Sequence, residues 1–384
     1  MKYIILFGIT VAPIFNDLPF AEYFGEFGRS LPLLMFPVYF LYTIINYRIL
    51  NSYKNASRFI MIIIFFSILS MLMSSLIYFL NVGNIILRGE NVIIKNIKLL
   101  TYLFANICYL STLLIFIKNH TYEVLKTLYY MNFLLLIILF IELFNPNMLN
   151  ILHFNKNNYR VPRLLSSEPS WTSYMLNAYF IGGAFYLKKF YNKLNSKHIL
   201  LVLAFLIQLY FTTSKMFLLF GTINIIIYFY FLIGTKRRKF LKNSLFIIVV
   251  ILILLITLPN LVTSTLNDIQ NFSSFSTRLG TMIASVYQPF LYPFSSGAVY
   301  LYYFPKSIDY FLYNSVFSDL WSNFNLYEIT NYIVSQEENA MVAKSGFLSF
   351  YQYYGIVTLI LVFIILFKIL KKIIFIVHFL LLIY

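Results

Sequence analysis

Apolar residues run along this chain in stretches long enough to cross a bilayer, separated by short polar segments. Six of these stretches stand out: Phe59–Leu80, Leu99–Ile117, Thr127–Phe144, Lys215–Gly234, Asn243–Val262 and Gly346–Phe367. They are continuous rather than alternating, so they predict membrane-crossing helices and not the short alternating strands of an outer-membrane barrel. Tyr3–Phe15, Leu31–Asn46 and Trp171–Leu187 supply shorter candidates, and the apolar tail Ile373–Tyr384 a weaker one. The run from His198 to Gly234 is too long for one crossing of about 20 residues. The polar break Thr212–Thr213–Ser214–Lys215 predicts a turn between two spans there. The expected fold class is therefore all-α: one polytopic integral membrane helix bundle over residues 1–384 with about 11 spans, 10 to 12 being the acceptable range. Residues 263–345 form one large loop within it, too long for a connector and too rich in Phe and Tyr for a disordered tether.

Charge sorts these segments into two classes. Lys2, Tyr47–Arg58, Lys118–Lys126, Lys188–Lys197, Lys236–Lys242 and Lys368–Lys372 hold 18 of the 29 basic residues and one carboxylate, Glu123. The other 11 bases and 12 acids lie elsewhere, so a formal net charge of +16 divides into +17 on one side and −1 on the other. The positive-inside bias puts the basic class in the cytoplasm. Asn16–Ser30, Asn81–Lys98, Asn145–Ser170 and Thr263–Ser345 then face outward. The alternation holds with the N-terminus inside and Met1–Phe15 kept as an uncleaved first span. Sixty per cent hydrophobic and 11% charged residues, with a mean hydropathy of +0.79, exclude an ordinary soluble domain. The pI of about 9.6 comes from orienting charges scattered beside spans, which argues against nucleic-acid binding. The single cysteine, Cys108, lies mid-span, and His120, His153, His198 and His378 show no ligand spacing, so neither a disulfide framework nor a metal site is expected.

The densest polar chemistry falls in the outer segment Tyr159-Arg160-Val161-Pro162-Arg163-Leu164-Leu165-Ser166-Ser167-Glu168-Pro169-Ser170-Trp171. Ser167 or Glu168 before Pro169 reads as a helix start, with Pro in the first turn and an acid complementing the dipole. On the bland reading Glu168 caps the sixth span and both arginines are solvated. On the functional one, Arg160 and Arg163 form an anion site, guanidinium forks being suited to phosphate oxygens, and Glu168 orients an arginine. Lys215 and Arg278 share the outward side. Each alone reads as a snorkelling or solvated cation, and their convergence with the arginines raises both. Glu142 at the outer end of the fifth span reads as structural. The loop acids Asp268, Asp309, Asp319, Glu328, Glu337 and Glu338 are open candidates for a general base. Most of the eighteen aromatics between Phe272 and Tyr332 read as an interfacial belt, and a few could stack on sugar rings.

Four pieces of sequence carry a family resemblance. Arg163-x4-Glu168-Pro169-Ser170 resembles the Arg…Glu-Pro-Ser stretch of the O-antigen polymerase and O-antigen ligase family, membrane glycosyltransferases of the GT-C type. Thr213-Ser214-Lys215 before an apolar run resembles its Ser-Arg/Lys turn. Arg278 followed by Pro293-x3-Gly297 resembles the opening of its large outer loop, and Lys344–Gly355 with Ile356 its return helix. The pieces stand in family order over residues 145–367. The family's second glycine after Gly297 is replaced by Ala298-Val299, and no histidine stands at the end of the loop where ligases carry a proposed base. The resemblance implies a bacterial cytoplasmic-membrane enzyme with its active site on the outer face. Its substrate would be an undecaprenyl-diphosphate-linked oligosaccharide, and a chain-length regulator and a flippase would be further partners. Arg163, Glu168 and Arg278 would be catalytic. Arg160, Arg163, Lys215 and Arg278 would hold the diphosphate, with no metal and no cofactor. A ligase moving finished glycan to another acceptor is the alternative within the class. A flippase for the same lipid-linked unit is the alternative outside it, expected to have compact outer loops and polar span interiors.

Overall fold

The computed structural model of the chain describes residues 1–51, 54–87, 89–154, 162–166, 169–191, 195–212, 221–228, 273–313, 326–327, 329–331, 346–361 and 364. It is mostly helical. The principal helices are α1 (Lys2–Thr10), α2 (Phe36–Ile45), α3 (Lys54–Val82), α4 (Val92–Phe144), α5 (Pro169–Phe190), α6 (Ser196–Thr212), α7 (Ser273–Leu291), α8 (Tyr300–Tyr313) and α9 (Gly346–Tyr354). Among the described residues two stretches, Ser57–Val82 within α3 and Val92–Phe144, are helical, long and apolar enough to cross a membrane. Their most apolar windows are only 22% and 33% buried, too little for core helices of a soluble protein. α3 shows why. Its buried stripe is Ile63, Ser67, Met71, Ser74 and Tyr78, while Met61, Phe65, Leu72, Leu76 and Leu80 are exposed. Hydroxyls share the buried stripe with Ile63, Met71 and Tyr78, while large apolar groups also cover the exposed side, the reverse of a surface helix in water. The predicted spans Asn243–Val262 and Ile373–Tyr384 lie outside the described residues.

Several boundaries follow from local chemistry. The Asn91 side-chain oxygen accepts the Ile93 amide at 2.9 Å and starts α4 seven residues before the expected span. α4 absorbs both the fourth and fifth predicted spans. The loop expected at Lys118–Lys126 shrinks to a kink at one non-helical residue, His120 (φ −134°, ψ 38°), where two helices meet, one on each predicted span. Pro37, in the first turn of α2, splits the second predicted span into Leu31–Leu34 and Phe36–Ile45, since it cannot supply a helical amide. α5 is described from Pro169 and α6 up to Thr212, and the predicted turn at Thr213–Lys215 lies outside the described residues. One departure from an all-α fold is a small antiparallel ladder, Ile86–Leu87 with Glu90–Asn91, near Gly89 at φ +79°.

The chain divides into two compact units: residues Met1–Ser52 with Ala105–Thr257, and Tyr53–Phe104 with Leu258–Tyr384. The first unit has two apolar cores. In one, Leu135 and Leu139 of α4 pack with Leu176, Phe180 and Leu187 of α5 and Leu201 and Phe205 of α6, the Phe180 and Phe205 rings stacked at 4.0 Å. Gly182 lets α5 lie against Leu128, where any side chain would collide. In the other, Ile5 and Ile9 meet Tyr39, Cys108, Phe116 and Val124. Lys2 pairs with Glu123 at 2.7 Å, joining two segments of the basic class. In the second unit, Tyr78, Leu87 and Val92 pack with Ala284, Val299, Phe304, Ile308 and Phe311, so the described part of the 263–345 loop is a folded helical layer.

Candidate functional site

Asp17, with its side chain fully buried, stands at the centre of the polar chemistry in the first unit. Its Oδ1 lies 3.2 Å from Arg29 Nε, and its Oδ2 lies 3.5 Å from an Arg163 guanidinium nitrogen and 3.4 Å from His153 Nδ1. The backbone binds the same strands of chain together: the Phe154 amide donates to the Asp17 carbonyl at 2.7 Å and the Leu18 amide to the Arg29 carbonyl at 2.9 Å. Residues 17–29, 150–154 and Arg163 therefore meet at one buried carboxylate.

Arg163 is 3% exposed. Its guanidinium also donates to Asn150 Oδ1 at 3.3 Å, and its carbonyl accepts the Thr172 and Ser166 hydroxyls at 2.6 and 2.8 Å. The amides of Arg163 and Leu164 donate to the two carboxylate oxygens of Glu142 at 3.0 and 2.7 Å. Two successive amides converging on one anion form a small nest, and it is Glu142 that fills it. The His153 Nε2–H donates to the Leu164 carbonyl at 2.9 Å, which leaves Nδ1 turned toward Asp17 without hydrogen-bonding geometry. Burial, reinforced by the neighbouring Arg163 cation, holds the His153 pKa below its ordinary value against the opposing pull of Asp17. Leu164 sits at φ +54°, a strained conformation for a leucine that these contacts hold in place.

The second unit is built differently. Ser296 Oγ lies 2.6 Å from Ser70 Oγ and 2.8 Å from Ser74 Oγ, and its amide donates to Ser74 Oγ at 3.1 Å. Asn96 accepts the Ala298 amide at 2.7 Å and donates to Ser75 at 2.8 Å. Gln288, Gln352 and Ser285 extend the seam, with Gln352 Nε2 3.2 Å from both Gln288 Oε1 and Ser285 Oγ. Tyr351 donates to the Ser285 carbonyl. Gly297 (φ +66°) and Gly355 (φ +90°) are the glycines of the third and fourth motif pieces. A side chain at the first would strike Asn96, and at the second Ser70. Arg278 is exposed on α7 between the buried residues Thr277 and Thr281.

Of the residues singled out by sequence, Arg163 is thus buried among acceptors in the first unit and Arg278 is exposed in the second. Arg160, Glu168 and Lys215 lie outside the described residues, as do the loop acids Asp268, Asp319, Glu328, Glu337 and Glu338. Among the described residues, no cluster of His, Cys, Asp and Glu could hold a metal ion. Sequence reading missed Asp17, Arg29, Asn150 and His153. One signal was available: Asp17 and Arg29, of opposite charge, bracket the segment after the first predicted span. No family model matches the chain, and neither the curated proteins nor the solved structures searched include one similar to it.

Proposed function

We propose that the chain is a multi-span membrane glycosyltransferase of about 11 helices, in the bacterial cytoplasmic membrane, that joins lipid-diphosphate-linked oligosaccharide repeat units on the outer face. A hydroxyl of one unit attacks the anomeric carbon of a second. The bond from that carbon to the diphosphate breaks, the hydroxyl proton passes to a base, and the lipid diphosphate leaves. On this reading the exposed Arg278 and the cations Arg160, Arg163 and Lys215 are the residues assigned to the departing diphosphate, whose charge they would stabilise. The observation that carries this reading is the ordered set of four motif pieces on segments sorted by charge to one side. The contacts support that sorting. Lys2 meets Glu123 within the basic class, Asp17 meets His153 and Arg163 within the outward class, and Asn96 meets Ala298 within it as well.

Purified protein given only lipid-linked repeat units in liposomes should extend them into a ladder, without nucleotide sugar and with EDTA present. A ligase would build no ladder without its own acceptor, and a flippase would move units without lengthening them. Recovery of units of unchanged length from folded protein would end the polymerase reading.

A further inference from the structure

Arg163 and Leu164 are held at both amides, both carbonyls and the guanidinium. Glu142 takes both amides, Thr172 and Ser166 take the Arg163 carbonyl, His153 takes the Leu164 carbonyl, and Asp17 and Asn150 take the guanidinium. Apart from Ser166 in the same segment, these partners come from four places in the sequence: the turn after the first span, the end of α4, the 3-10 turn Met148–Leu152 with the residue after it, and the start of α5. Among them Asp17 alone makes contacts to Arg29, His153 and Arg163 at once, and its side chain is fully buried. A buried carboxylate is costly to desolvate, so its place is set by cations, and it sets theirs in return.

We propose that Asp17 and Glu142 are a pair of positioning residues for the segment entering α5. Glu142 fixes its backbone through the two amides, and Asp17 fixes the direction of the Arg163 guanidinium. The inference rests on the proposed function in one respect only, that Arg163 belongs to the diphosphate site. Neither carboxylate touches substrate. Each acts through Arg163, and the strained Leu164 beside it is the structural sign that the segment is held and does not merely rest there.

Hydrogen exchange tests this in the full-length protein. In Asp17→Asn, which keeps the shape and removes the charge, the amides of residues 163 and 164 should exchange at least about tenfold faster, while those in the middle of α5 stay protected. Glu142→Gln should do the same, since a neutral amide accepts the two amides more weakly and brings donors of its own. In the ladder assay Asp17→Asn should lower kcat by about 100-fold, the scale on which a 1 Å misplacement acts, with a smaller change in KM. Asp17→Glu should recover part of both, and it replaces Asp17→Asn should that variant not fold. Unchanged exchange at 163–164 in folded Asp17→Asn would overturn the proposal, and so would an unchanged kcat. A wild-type protein that builds no ladder counts against the polymerase reading, while the exchange data still decide whether Asp17 holds the segment.

Discussion

The two units solve the same problem with opposite chemistry. In the first, segments distant in sequence are tied by charge, with Asp17 between Arg29, His153 and Arg163. In the second, they are tied by neutral hydroxyls and amides, Ser70, Ser74 and Ser296 with Asn96, Gln288 and Gln352. The difference tracks position along the predicted spans. The charged cluster is assembled from loops and span ends. The neutral seam draws Ser67, Ser70 and Ser74 from well inside the apolar stretch Phe59–Leu80, where an ionised group would cost far more. A hydroxyl both donates and accepts, so a seam of serines can re-pair when one member is lost. A carboxylate ringed by cations has no such slack.

The contrast fails first if Asp17→Ala is mild. Removing that carboxylate leaves Arg29 and Arg163 beside an emptied, buried acceptor site, and the first unit should lose about 3–5 kcal/mol in thermal or denaturant unfolding. Gly297→Ala comes next. Backbone strain at φ +66° alone should cost the second unit about 1–3 kcal/mol, with the collision against Asn96 adding to it. Ser296→Ala should cost only about 1 kcal/mol, because Ser74 keeps its 2.8 Å bond to the Ser70 carbonyl and the Ser296 amide keeps Ser74. If Ser296→Ala proves as damaging as Asp17→Ala, the distinction between re-pairing hydroxyls and stranded charges is wrong.

The smallest effect sharpens the comparison through pH. Histidine ordinarily titrates near 6.5, and the unfolded chain takes up a proton there. Burial and Arg163 hold the folded-state value of His153 lower, so the proton favours the unfolded form. The stability present above the unfolded pKa is lost as pH falls from 6.5 toward the folded value, and the loss stops once folded His153 is protonated. Unfolding followed from about pH 7.5 to about pH 5 should show this slope in the wild type and a shallower one in His153→Gln. A seam of Ser, Asn and Gln side chains contributes no such slope.

Much of the helical layout was legible in the sequence, because long apolar runs specify helices locally. Phe59–Leu80 falls within α3 and Trp171–Leu187 within α5, whereas the Asn91 cap that starts α4 early was not read. The break between the fourth and fifth predicted spans was legible from charge, since the kink at His120 falls inside the polar stretch Lys118–Lys126, while its brevity, a single non-helical residue, was not. The outward cations were legible as residues and not as an arrangement. Arg163 was identified by its motif, while its partner Asp17 lies 146 positions away. No periodicity links such positions; only the tertiary fold does. Arg278 and Gly297 were readable for the opposite reason, since an exposed cation and a glycine at positive φ are local facts.

Leu164 has a consequence for how this chain can change over generations. Its backbone is in the left-handed region, which favours glycine or asparagine, while its side chain is 2% exposed within the main apolar core of the first unit. Glycine would relieve the backbone and leave a hole. Isoleucine or valine would fill the hole and tolerate the backbone even less than leucine does. Every single-step replacement therefore trades one defect for another. A saturation library scored by protein abundance should show position 164 as a local optimum with no neutral neighbours, a site at which lineages stay put until Glu142 or His153 changes first.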